Sequence, residues 1–147
     1  MRSQVRARFD PGTTSLASSA AWHERLATIH VSPADPITAT LHAAESERQA
    51  GIMTTNLAAW ERSNGRDVAS KERAGRAYRE ATQRRHLAHA TGAPVRPKAH
   101  VTHAVAAAQI RALDAKEDVT EAAGRALLAL AAHEHPGVAA AARAHPT

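Results

Sequence analysis

The sequence predicts an all-α fold, and three observations carry the prediction. Alanine, the strongest helix former, supplies 37 of the 147 residues. Large rings are scarce: Trp22, Trp60, Tyr78 and Phe9 are the four aromatic residues, which leaves a thin, alanine-lined core in which backbones pack closely. Proline and glycine gather in a few clusters and leave long helix-forming stretches between them. One domain is expected at this length, a compact bundle of about five helices with a basic central helix. Its parts are a basic N-terminal arm over 1–12, the helical bundle over 13–136 and an alanine-rich C-terminal tail over 137–147.

The arm carries Arg2, Arg6 and Arg8 and closes at Asp10-Pro11-Gly12, a turn signal because proline presets φ and glycine tolerates positive φ. The first helix is expected from Thr14 to His30. Trp22, Leu26 and Ile29 form its inward stripe, Leu16 and Ser19 continue it, and His23, Glu24 and Arg25 bracket it. Ser32-Pro33-Ala34-Asp35-Pro36 then stops one helix and starts another, with Asp35 as cap and Pro36 at the first helical position. The second stretch places Ile37, Leu41, Ala44 and Arg48 on one stripe, meets Gly51, and resumes with Ile52, Met53, Leu57 and Trp60. It is one bent helix or two. Asn64-Gly65 ends it, and Asp67 or Ser70 caps the basic helix that runs to Thr91-Gly92-Ala93-Pro94.

Pro94 and Pro97 enforce a short, stiff connector. A fourth helix follows over about 98–113, with Val101, Val105, Ala108 and Ala112 on one face and Ala104, Ala108 and Ala112 available for close packing. Asp118 and Glu121 have the spacing of a capping box and open the last strong helix, which contains Leu127, Leu128 and Leu130 and ends at His135-Pro136-Gly137. The remaining tail reads as marginal, because it lacks large apolar groups and contains Pro146. Trp22 and Trp60 are expected as the two large anchors of the core.

Charge is segregated along the chain. Between Arg62 and Lys98 there are ten cations, Arg62, Arg66, Lys71, Arg73, Arg76, Arg79, Arg84, Arg85, Arg96 and Lys98, against Asp67, Glu72 and Glu80, a net of +7 in a chain whose total is +5. A concentrated cationic band gains nothing from self-repulsion and points to a polyanionic partner whose counterions it displaces. All ten are the candidate nucleic-acid-binding residues, with Tyr78 as a stacking platform. Pairs four apart, Asp67 with Lys71, Glu72 with Arg76 and Glu80 with Arg84, are expected to neutralise part of the band.

Chemistry beyond binding is not indicated. Cysteine is absent, which removes disulfides and thiolate chemistry. There is no glycine-rich phosphate loop and no Gly-x-Ser-x-Gly elbow, so no catalytic residues are assigned and no enzyme or cofactor is expected. Ten histidines include three close spacings, His86 with His89, His100 with His103 and His133 with His135, but none supplies the third and fourth ligands of a metal site. They read as scattered surface or core residues, and no metal is assigned. No signal peptide and no membrane span is seen, which points to the cytoplasm.

A small, all-helical chain without catalytic residues and with one basic surface resembles, over residues 14 to 135, the small subunit of multisubunit CRISPR effector complexes. That resemblance implies several copies stacked beside other protein subunits of a ribonucleoprotein, with Arg73, Arg76, Arg79, Arg84 and Arg85 lining a channel for a DNA or RNA strand. The expected function is backbone binding without sequence specificity. Two other classes compete with it. One is a helix-turn-helix-like regulator, whose connector through Pro94 and Pro97 is longer than the usual turn. The other is a protein-only virion or adaptor subunit.

Overall fold

The computed structural model describes residues 15–146. Six helices occur among them: α1 (Leu16–His30), α2 (Pro36–Arg62), α3 (Val68–Gly92), α4 (Pro97–Asp114), α5 (Val119–Ala131) and α6 (Pro136–Ala144), with no strand. The all-α expectation therefore holds. The breaks fall where the proline, glycine and capping signals put them. Ser15 accepts a hydrogen bond from Ser18 N–H at the start of α1, and Asp118 accepts one from Glu121 N–H at the start of α5. Of the two candidates before α3, Asp67 is the cap. Its carboxylate accepts bonds from both the N–H and the hydroxyl of Ser70, which together hold its pKa below the ordinary aspartate value. The expected arm over 1–12 lies outside the described residues.

Where the sequence suggests one bundle over 13–136, the described residues divide into two compact units: residues 36–89 form one, and residues 15–35 with 90–146 the other. The first is a hairpin of α2 and most of α3. Ser46 donates its hydroxyl to Ala81 O, Arg84 donates to His42 Nδ1, and Arg73 donates to Asn56 Oδ1. The rising positions on α2 meet falling positions on α3, so the two helices run antiparallel. On α3 the seam is Ser70, Ala74, Ala77, Ala81, Arg84 and Ala88, a spacing of four and three that keeps one narrow face turned to α2. The turn closing the hairpin places Asn64 and Gly65 at φ of 56° and 81°, the left-handed region that asparagine and glycine tolerate best.

Two expected stripes are not the buried ones. On α2, Ile37 and Leu41 are 77% and 66% exposed, and Ala44 and Arg48 are exposed with them. The seam instead takes polar and small groups, because α3 offers alanines that allow close approach and a helix carbonyl, Ala81 O, that accepts a second bond from the Ser46 hydroxyl. On α1 the buried positions are Ala20, Leu26, Ala27 and His30, while Trp22 and Ile29 are only half-covered. Trp60 is the one expected tryptophan anchor that is buried. Gly51 neither bends nor splits α2, which is continuous across it. A Cβ placed there meets nothing within 4 Å. Gly51→Ala is therefore expected to stabilise the protein by about 0.5–1 kcal/mol, read as a higher urea midpoint with unchanged slope.

In the second unit α4 is the hub, since α1, α5 and α6 each pack on it and α5 also packs on α6. Its two faces differ in chemistry. Val101 and Val105 meet Ala123 of α5 and Val138 and Ala142 of α6 in the apolar core, with Leu127 and Leu130 packed against it. Helical periodicity puts His100, His103 and Ala107 on the opposite side, toward α1. The segment over 137–147, read from the sequence as a tail that adds a turn or two of marginal helix, packs more closely than that reading suggests. Residues 136–144 form α6, and Val138, fully buried, is among the most enclosed side chains of the chain. Small residues make this possible instead of preventing it: a Cβ on Gly137 would lie 2.9 Å from Pro97 Cγ, so only glycine lets α6 begin this close to α4.

Candidate polyanion-binding surface

The ten candidate cations do not share one environment. Eight belong to the hairpin unit, and Arg96 and Lys98 to the other. Three of the hairpin's eight are committed to the fold. Arg73 bridges Asn56 Oδ1 at 2.8 Å and Ser70 Oγ at 2.9 Å. Arg84 reaches Glu80 Oε1 at 2.8 Å and His42 Nδ1 at 3.1 Å, a contact in which the imidazole must accept because a guanidinium can only donate. Lys71 lies 5.4 Å above the Trp60 ring, within cation–π range.

The other five, Arg62, Arg66, Arg76, Arg79 and Arg85, make no side-chain hydrogen bond or ion pair among the described residues. Two of the three expected intrahelical pairs fail to form, which explains part of this. The Asp67 carboxylate caps α3 instead of holding Lys71, and Glu72 does not pair with Arg76; only Glu80 with Arg84 survives. Arg76 and Arg79, three residues apart, lie on the side of α3 away from the α2 seam. Tyr78, exposed, and Arg85 are seven apart and share another face of the helix. Arg85 and His89 also line a shallow groove of about 440 Å³ whose α2 wall is Ala39, Ala43 and Glu47.

Elsewhere on α2, Glu45 accepts from Arg48 and Gln49, and these bonds pull its pKa down to about 2. Arg48 is accordingly a paired cation outside the candidate set. In the second unit, Arg96 and Lys98 flank an apolar groove of about 700 Å³ lined by Pro97, Ala99, Ala140 and Ala141. The Arg96 backbone N–H is fixed to His30 O at 2.6 Å.

What the spacing pattern missed is the gathering of the histidines. His23 and His30 on α1 face His100 and His103 on α4, and His133 and His135 after α5 adjoin them. The signal was present as seven-residue spacing on α1 and three-residue spacing on α4, but only packing shows that the two faces meet. No group of three or more His, Asp or Glu among the described residues has the geometry to hold a metal ion. No described helix is long and apolar enough to cross a membrane. Compared with protein-family models, curated proteins and solved structures, the chain matches none.

Proposed function

We propose that this chain binds a nucleic-acid backbone through Arg62, Arg66, Arg76, Arg79 and Arg85, as a non-enzymatic, cytoplasmic subunit of a ribonucleoprotein of the CRISPR small-subunit kind. The observation that carries the reading is the five guanidiniums left without an anionic partner while neighbouring cations are used internally. An unpaired arginine fork is a ready partner for two phosphate oxygens, and it reads no base. Tyr78 adds a ring on which a base of a single strand stacks. A single copy binds weakly, and several copies on one strand gain through effective concentration.

The test is fluorescence anisotropy with labelled single-stranded DNA, single-stranded RNA and duplex, in cognate-length and scrambled sequences, across a salt series. Wild type is compared with an Arg62/Arg66/Arg76/Arg79/Arg85→Gln variant and with an Arg48→Gln/Arg125→Gln control that removes arginines paired with carboxylates, Arg125 with Glu117 and Glu121. Five phosphate contacts predict a slope of log K on log salt of about −3.5 for single strands, with affinity in the fivefold variant down about 100-fold or more at low salt. The control retains most of the binding. Arg73 and Arg84 are kept, since removing either leaves Asn56 Oδ1 or His42 Nδ1 without its donor and confounds folding with binding. Absence of binding at low salt, or a fivefold variant that binds like wild type, sinks the proposal; discrimination among scrambled duplexes would replace it with a sequence-reading regulator.

A further inference from the structure

We infer that the histidine seam between α1 and α4 is a proton-operated latch, closed at neutral pH and released under mildly acidic conditions, which frees α1 while the α4–α5–α6 core stays folded. Three features of the seam lead there. His23 Nδ1 and His103 Nδ1 are 2.9 Å apart, a bond that needs one nitrogen to donate and the other to accept. Once both rings are doubly protonated, the acceptor is gone and two cations face each other at that distance. The His30 ring stacks on His103 at 5.4 Å between centroids and 9° between planes, is 8% exposed, and has a buried Nδ1 without a partner. His100 donates from Nδ1 to Ala27 O at 2.6 Å, and its ring meets the edge of His133 at 5.4 Å.

Among the described residues, the charged groups around the seam are cations or a carboxylate already paired. From α1 come His23, His30 and Glu24, and the Glu24 carboxylate is already gripped by Arg111 of α4 at 2.6 and 2.9 Å, which holds its pKa low. From α4 come His100, His103 and Arg111, and from the preceding connector Arg96, whose charge repels a protonated His30. The α5–α6 turn adds His133 and His135, whose Nδ1 atoms accept from His135 N–H and Gly137 N–H. Burial pushes both His23 and His30 below the ordinary imidazole value of 6.5, Arg96 and His100 adding to the effect at His30. The released state therefore binds more protons than the closed one. Docking has its full strength above about pH 6.5 and weakens as pH falls below it.

Selectivity for α1 follows from where the apolar contacts are. Of the helices wholly within its unit α1 packs on α4, its last residue His30 also accepts from Arg96 N–H, and its large apolar contacts are buried Leu26 with half-covered Trp22 and Ile29. The valines and leucines of the core lie on the other face of α4. A released α1 stays tethered at its C-terminal end, where Asp35 N–H bonds Thr91 O at 2.7 Å and Val31 packs on the core.

Hydrogen exchange of the full chain, read by mass spectrometry from about pH 7.5 to about pH 5 with labelling times corrected for intrinsic rates, tests the latch. The expected result is loss of protection, tenfold or more, in residues 16–30 below about pH 6, with residues 97–113 and 119–144 protected throughout. A His23→Gln/His103→Gln/His30→Leu variant keeps an amide pair and removes the titration, so its α1 stays protected at acid pH. If that variant fails to fold, NMR titration of the wild-type imidazoles decides. Midpoints of 6.5 or above for His23 and His30 with α1 still protected overturn the latch. So does protection unchanged by acid, or lost equally across α1 and α4 to α6.

Discussion

Trp60→Ala is expected to cost the hairpin about 3–5 kcal/mol, the usual range for deleting a buried large aromatic side chain. Trp60, 3% exposed, is the one fully buried residue of the 27 in α2, where Ile52, Met53 and Leu57 are only partly covered. It also organises the turn. Gly65 N–H and Ser63 Oγ–H both bond to Trp60 O, and the Lys71 ammonium sits over the ring. Much of the rest of the seam is hydrogen bonding, whose net contribution per bond is about 1 kcal/mol. Urea unfolding followed by far-UV circular dichroism measures the loss. Lys71→Ala serves as the comparison, since removing the half-exposed cation costs about 1 kcal/mol or less. A Trp60→Ala midpoint equal to that of Lys71→Ala would show that the ring does not anchor the hairpin.

Val138→Asp should be as damaging to the other unit, about 3–5 kcal/mol, because it puts an unpaired carboxylate among Val101, Val105, Ala123 and Ala142. No cation compensates it: Arg143, the basic residue of α6, already donates to Ala131 O. Val138→Ala removes only apolar contact and is expected to cost about 1–2.5 kcal/mol. The two variants together separate the charge penalty from the packing loss. Thermal unfolding gives the totals, and amide exchange over 97–144 shows whether the loss is centred on the core that α6 completes. Near-wild-type stability of Val138→Asp would mean that α6 contributes no core.

The breaks between helices were legible because each is written locally. Pro36, Asn64-Gly65, Pro97, Asp118 and Pro136 act through their own φ angle, missing donor or capping oxygen, and need no distant partner. Facing was not legible in the same way. On α2 the apolar spacing Ile37, Leu41, Ala44 is a good helical stripe, yet the inward face is the one whose hydroxyls and amides match α3. A moment computed from apolarity alone sees no value in Ser46 or Asn56. The cations behaved likewise. Charge segregation located the basic band, but which arginines stay available depended on whether an acceptor such as Asn56 Oδ1 arrives from a residue 17 positions away.

By itself, then, the sequence determined the helical class, the places where the chain turns and the net charge of each stretch, since propensity, capping and formal charge are properties of residues and their near neighbours. Tertiary structure alone decided that Arg73 and Arg84 hold the hairpin while Arg76 and Arg85 are exposed and Arg79 is partly covered, that an alanine-rich tail completes a core, and that histidines 80 positions apart touch. Each of those outcomes rests on which faces meet, and that is settled by packing and hydrogen-bond complementarity between segments distant in the chain.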